Sequence, residues 1–499
     1  MAELMRVPDI TAAVSSFELA AKPTCVAYDW DAWPLLRCWL ALAEAYGEGA
    51  RSHKRSAIMS AAPPGMRVIA KTPGWAIRTR GAGFMGVPTQ QVAIITHGNR
   101  TQLLGGKYYR YMGDPFARVL AGAGVTAAVW QRGRPAWPQW HAAFFCEAPL
   151  FAHAAARQLS GRVRHMGKEP PWFADIADWH REVFGSPLPW PVVSRVLGST
   201  EAMRQTYASW FKRAGTRLVL TDCWYDVSAM AAILGARSVG IPALDLQHGV
   251  QGSTHIAYSG WHASDYTTRM CPFPNGFWVW GQRDAEALEK HNAGVLDRHC
   301  VFAAGYPWLT EWLAPSDEAL LESDAAATQL AQESEKVILV TLQVREHVQE
   351  ALDLASRGPT DWLWLLRVHR GWREASTAVE REAQERGLGR VVSVQATDLP
   401  LYALLRHSDV HVTWTSTCAM EATAFGVPTV LLDKAAEATF SDYITSGSMR
   451  LASERDCALD EITAALHTAS VDWRATPVAF AAPATAELEL RRLLSTVHL

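Results

Sequence analysis

T-W-T-S-T-C-A-M-E-A-T-A-F-G-V-P-T-V-L-L, from Thr413 to Leu432, is the stretch whose reading decides the fold. Apolar residues Val410 to Val412 predict a buried strand that runs into a polar turn of Thr413, Thr415, Ser416 and Thr417. A helix carrying Glu421 follows, Gly426-Val427-Pro428 closes it, and Thr429 to Leu432 returns as a strand. Hydroxyls and unsatisfied N–H groups at such a helix start suit an anion, a phosphate or diphosphate. Glu421, about one turn further in, is placed to accept from ribose hydroxyls. A plain helix cap, with Glu421 as a solvated or capping-box residue, is the competing explanation.

Similar units run through the chain. Lys336 to Gln343 reads as a buried strand opening into a polar loop, Trp362 to Val368 as another ending at Arg367, His369 and Arg370, and Val391 to Val394 as a third. Gln343, Arg367, His369, Thr415, Ser416, Thr417 and Glu421 therefore form the candidate nucleotide-binding set of a second Rossmann-type sheet. In the first half, Val92 to Gly98 is a buried strand with a polar end, and Val125 to Trp130 is the next strand of a parallel crossover. His97 and Lys107 fall in loops at the strand's carboxyl end. Arg217 to Thr221 ends in Asp222, Asp226 opens a helix that Gly235 stops, and Ile241 to Leu246 leads into Gln247-His248-Gly249. Neighbouring strand ends thus bring Asp222 and His248 to one sheet edge, each a candidate general base. Asp226 has an N-cap alternative, and Gln247 and Asp226 join His97 and Lys107 as acceptor-side or sugar-binding candidates.

Composition limits the rest. A chain of 499 residues exceeds one ordinary core, so two domains are expected. The net charge of −3 argues against a general nucleic-acid binder. Eight scattered cysteines without a C-x-x-C point to a reducing cytoplasm and to no metal site. The N-terminus has no basic region followed by an apolar core, and no apolar run is long enough to span a membrane. Several of the 22 tryptophans lie beside prolines, where an exposed ring stacks on sugar or rests at a membrane surface, although core filling accounts for most. The acidic, alanine-rich, aromatic-free run 314–335 marks a boundary. The expected order is an N-terminal extension over 1–90, a Rossmann-like domain over 91–313, the linker 314–335, a second Rossmann-like domain over 336–470 and a helical tail over 471–499.

Taken together, Gln247-His248-Gly249, the basic and His-bearing strand end at 367–370, and T-S-T-x-x-x-E-A-x-x-x-G-x-P resemble the GT-B glycosyltransferases of bacterial surface polysaccharide synthesis. The likeness spans roughly residues 90 to 470 and is nearest to capsule and O-antigen enzymes, including users of CMP-activated acidic sugars such as Kdo or sialic-like nonulosonates. It implies an α/β fold of two Rossmann-like domains facing a cleft, 91–313 with its extension 1–90 as the acceptor domain and 336–470 as the nucleotide-sugar donor domain, a metal-independent reaction with no cofactor beyond a nucleotide sugar, CMP-sugar favoured, and a glycan or lipid-linked acceptor. Domain closure on a hinge near 310–335 and a cytoplasmic location, with peripheral association at the inner face of the membrane, belong to the same expectation. Where such families carry a His-Pro pair at the donor phosphate, this chain reads His369-Arg370. Lys107, Arg100 and Arg345 are further cations for an acidic donor sugar. A nucleotide-sugar 2-epimerase of the same fold and a non-catalytic glycan-binding assembly protein are the two alternatives.

Overall fold

A computed structural model describes residues 7–45, 86–133, 136–251, 255–263, 265–296, 300–332, 334–452, 454–468 and 480–499. The chain divides into two compact units, one made of 1–101, 108–305 and 483–499, the other of 102–107 and 306–482. Each is built on a parallel sheet.

In the first unit seven strands lie in the order Val301–Phe302, Gly276–Trp278, Ala243–Leu246, Leu218–Asp222, Val92–His97, Ala127–Arg132, Phe144–Phe145. Every pairing among them is parallel. Such strands are covered on both faces, which is why Val92, Ala93, Ile94 and Ile95 are all apolar rather than alternating. Helix Trp190–Ala214, 25 residues long, packs against helix Val227–Arg237. Gly235 does not stop the latter helix, as its sequence position suggests, but lies inside it. A Cβ there would stand 2.8 Å from Tyr207 Cβ and 2.9 Å from the Arg204 carbonyl oxygen, so glycine permits the close crossing of the two helices.

Most tryptophans fill cores. Trp30, Trp33, Trp130, Trp224, Trp261, Trp278, Trp280 and Trp312 are all fully buried. The described part of the 1–90 extension joins the first unit through helices Val7–Ala21 and Trp33–Ala45; residues 46–85 lie outside the described set. A buried ion pair ties this extension down, Arg37 to Glu18 at 2.7 Å, with the Arg37 guanidinium 3.8 Å above the Trp261 ring. Glu18 also accepts from the His262 amide at 2.9 Å and the Tyr266 hydroxyl at 3.2 Å. From the other end of the chain, helix Pro483–Thr496 lays Arg492 over the Phe302 ring at 4.4 Å and donates from it to the Val301 carbonyl.

The second unit carries six parallel strands in the order Val391–Val392, Trp362–Val368, Lys336–Leu342, Val410–Thr413, Thr429–Leu431, Met449–Leu451. The acidic run 314–335, read as a linker, folds here as helix Glu318–Ala331, capped by Asp317 through the Ala319 amide at 3.1 Å. Its Asp324 pairs with Arg406 at 2.8 Å and His407 at 3.0 Å, so the charges that suggested a solvated boundary hold the helix to its unit. The division of the chain falls before it, after Gly305.

His411 lies inside the central strand, fully buried, between the hydroxyls of Thr341 at 2.9 Å and Thr429 at 3.1 Å. Burial lowers its pKa from 6.5 to about 3.

Two consequences are measurable. Gly235→Ala should lower stability by about 1–3 kcal/mol despite alanine's better helix propensity, because the clash is with backbone and a Cβ rather than a movable side-chain tip. A thermal melt equal to the wild type would refute the crowding. His411 is held neutral, so its contribution is complete above pH 6.5 and is lost as pH falls toward about 3. By pH 5 this amounts to about 2 kcal/mol, and the melting temperature of the wild type should drop more steeply between pH 7 and 5 than that of His411→Gln.

Candidate functional site

Both sheets place polar side chains where their strands end. In the first unit, Asp222 closes strand Leu218–Asp222 and is fully buried. Its Oδ2 accepts from Thr96 Oγ1 at 2.7 Å and from the His97 amide at 3.3 Å, both on the neighbouring strand end. Arg132, at the end of the next strand, stands 3.6 Å from Asp222 Oδ1 and also bonds Asp226. Asp226 is the N-cap of helix Val227–Arg237, accepting from the amides of Ser228 at 2.9 Å and Ala229 at 3.3 Å. Burial pushes the Asp226 carboxyl up, but Arg132 and the two amides outweigh it and hold the group below its ordinary range. One guanidinium thus serves two carboxylates, and the backbone between them is strained: Cys223 has φ of 55°.

A second group gathers beyond the adjacent strand Ala243–Leu246. His248 Nε2 lies 3.3 Å from the Tyr225 hydroxyl, and the His255 ring centre is 5.1 Å from that of Tyr225. Burial, then the positive charge of Arg100, then His255 keep the His248 pKa well below the ordinary histidine value, so its imidazole is neutral at pH 7. Burial likewise lowers His255 to about 4. Arg100 acts electrostatically on both Asp222 and His248, linking the two groups. Asp245 accepts from the Trp224 amide at 3.0 Å and the Tyr258 hydroxyl at 2.8 Å, and burial still pushes its carboxyl well above the usual range.

Three candidates sit differently from the sequence reading. Gln247 is buried and joined to its own loops, accepting from the Trp280 amide at 2.6 Å and donating to the Gly249 carbonyl at 3.1 Å. Lys107 is not in a loop after a parallel strand. It opens strand Lys107–Arg110 of a hairpin whose partner is Thr101–Leu104, turned by Gly105 and Gly106 with φ of 50° and 73°. His97 is half-buried and engaged locally, with Asn99 Oδ1 2.8 Å from its Nδ1.

In the second unit Gln343 and Thr415 bind two strand ends together, Oε1 of Gln343 accepting from the Thr415 amide at 2.9 Å and its hydroxyl at 3.3 Å. Ser416, rather than Thr417, caps the helix start, accepting from the Cys418 amide at 3.3 Å. Beside them Trp414 stacks on His347, ring centres 3.8 Å apart and 6° from parallel. Arg367, expected to face the donor phosphate, is buried and donates instead to the carbonyls of Ala396 at 2.6 Å and of Leu399, next to Pro400. Burial, then the neighbouring Arg370, lowers its pKa to about 10. His369 is exposed at the same strand end and accepts from the Gly371 amide at 3.1 Å. Glu421 accepts from the Tyr402 hydroxyl, and burial raises its carboxyl to about 7.

Arg132, Tyr225, Asp245, His255 and Tyr402 are absent from the sequence reading. Arg132 ends a strand, and the rule that selected Asp222 also selects it. His255 and Tyr402 come from outside the strand ends and carry no local signal.

No protein family and no curated protein matches this sequence. Solved structures match in fold. The UDP complex of S. aureus MnaA is 11% identical, with 82% of this chain and 98% of that chain covered at a TM-score of 0.50. A UDP-GlcNAc 2-epimerase from Neisseria meningitidis bound to UDP-GlcNAc is 13% identical, covering 81% and 99% at 0.49. The wall teichoic acid polymerase TagF is 10% identical, covering 87% and 97% at 0.44. At these identities the likeness concerns the fold: the chain is an α/β protein of two Rossmann-like units, as in GT-B-type proteins. Among the described residues no helix is long and apolar enough to cross a membrane.

Arg132→Met should cost about 3–5 kcal/mol, because it leaves Asp222 as a buried charge without its cation. Adding Asp222→Asn should restore part of that loss, and a double variant no more stable than the single one in chemical denaturation would remove Arg132 from this role.

Proposed function

We propose that this chain is a nucleotide-sugar enzyme that transfers a glycosyl group to a glycan or lipid-linked acceptor. The observation that carries the reading is the hydroxyl-bearing loop Thr415 to Thr417 beside the half-buried carboxyl of Glu421, at the carboxyl edge of a parallel sheet. Open α/β sheets bind ligands at that edge. Thr415, Ser416 and Thr417 would meet the phosphate oxygens, with His369 two strands along the same sheet edge, and Glu421 would accept from the ribose. Gln343 and Arg367 then act by shaping the loops rather than by touching the donor.

In transfer, the acceptor oxygen forms a bond to the anomeric carbon as the bond to the departing phosphate breaks, and the acceptor proton must go to a base. His248 and Asp222 are the candidates for that base: the His248 imidazole is neutral at pH 7, at the cost of a lowered basicity, and Asp222 is engaged by Arg132, Thr96 and the His97 amide. The phosphate's developing charge is stabilised by hydroxyl and amide donors around Ser416. For the donor we favour a pyrimidine nucleotide. CMP comes from the sequence resemblance, and UDP from the MnaA complex that shares the fold. Association with a membrane surface would follow from a lipid-linked acceptor.

A second reading, 2-epimerisation of a nucleotide sugar, is favoured by Asp222, Asp226 and Asp245 at one sheet edge, since that reaction calls for carboxylates around the sugar. The deciding experiment is a thermal-shift panel of CMP, CDP, UMP, UDP, GDP and ADP, with and without EDTA, on wild type and Glu421→Ala. One nucleotide should raise the melting temperature of the wild type by several degrees and that of the variant much less. No shift at millimolar concentration would overturn the donor site. With the nucleotide known, conversion of its sugar conjugate without any acceptor would select the epimerase.

A further inference from the structure

Glu421 is held from outside its own helix. Tyr402, on helix Leu401–Arg406, donates its hydroxyl to Glu421 Oε1. The Tyr402 ring is buried and fixed by three others, Phe425 at 5.4 Å, Trp308 at 6.1 Å and Trp312 at 6.3 Å between centres. A ring caged in this way can present its hydroxyl in one place only, at low further cost in conformational entropy.

We infer that Tyr402 is a positioning residue of the nucleotide site, orienting the Glu421 carboxyl so that it can accept from a ribose hydroxyl. This rests on the donor-site reading above. A purely structural pair is the alternative. Against it stands the chemistry: a carboxyl partly withdrawn from water is costly to hold, and an apolar residue would fill the same space more stably. The groups acting on Glu421 come from several elements: Tyr402 on helix Leu401–Arg406, Cys418 one turn earlier on its own helix, and the cations Arg370 and Arg367 at the end of strand Trp362–Val368. The Tyr306 hydroxyl also acts on that of Tyr402. Burial raises Glu421 to about 7, while Tyr402, Cys418 and the two arginines oppose that rise. The hydroxyl therefore favours the ionised form, which is the stronger hydrogen-bond acceptor. Removing it must make Glu421 titrate at higher pH.

Tyr402→Phe keeps the ring and deletes the donor. UDP and CMP are the probes, with affinity measured by calorimetry from pH 6 to 9 on wild type, Tyr402→Phe and Glu421→Gln. The expected result at pH 7 is binding about tenfold weaker in Tyr402→Phe. The acid limb of its affinity–pH profile should move to higher pH, whereas Glu421→Gln should lose affinity and show no such limb. A structural role alone would change the melting temperature of the free protein without moving the profile, and that result overturns the inference. Wild-type affinity and profile in Tyr402→Phe, with Glu421→Gln weakened, also overturn it and leave the donor site standing. If Glu421→Gln binds as tightly as wild type, or neither nucleotide binds, the ribose assignment fails and the inference falls with it.

Discussion

A strand covered on both faces can carry polar groups cheaply only where it ends, and both units of this chain are organised by that constraint. His97, Arg132 and Asp222 close three adjacent strands of the first sheet, and Gln343, Arg367 and Thr413 lie within one residue of the ends of three strands of the second. Because the strands are parallel, all of these ends lie along one edge of their sheet. The exception inside the second sheet is accommodated: His411 is flanked by the hydroxyls of Thr341 and Thr429, and its ring remains neutral.

The same edge shows why charge at a site and charge available to a ligand are different things. Asp222 and Asp226 are both engaged by Arg132, and Arg367 by two carbonyl oxygens. Burial rather than a direct ion pair shifts His248 toward neutrality and Glu421 toward a carboxyl that titrates near pH 7, as it also shifts His255 and Asp245. Proton transfer and hydrogen bonding near neutral pH are open to groups of this kind.

Much of this is legible in the sequence because strands buried on both faces write themselves as unbroken apolar runs. Val92 to Ile95, Leu218 to Thr221, Lys336 to Leu342 and Val410 to Val412 are strands as read, and the polar residues after them stand at the sheet edges. What could not be read depends on contacts distant in the chain. Gly235 looks like a helix terminator until Tyr207 and Arg204 are seen against it. The acidic run 314–335 looks solvated until Asp324 meets Arg406 and His407. Gly105-Gly106 marks a turn, but only pairing of the flanking residues makes it a hairpin that carries Lys107 away from the strand end. Arg367 has the right position for a phosphate contact, and the carbonyls that take it belong to residues 396 and 399.

The first unit is assembled from three separate stretches of chain, the last of them beginning at Pro483, whereas all but six residues of the second run continuously from 306 to 482. Arg492 lies on the Phe302 ring and bonds the Val301 carbonyl, so the border strand of the seven-stranded sheet receives its cover from the far end of the polypeptide. During synthesis the continuous unit has nearly all its residues outside the ribosome before that cover emerges. The first unit must therefore wait with an uncapped edge while its neighbour is completed, and an exposed edge strand is where wrong pairing begins. Val301–Phe302 is only two residues long, which leaves little ladder for a stray strand to join during that interval.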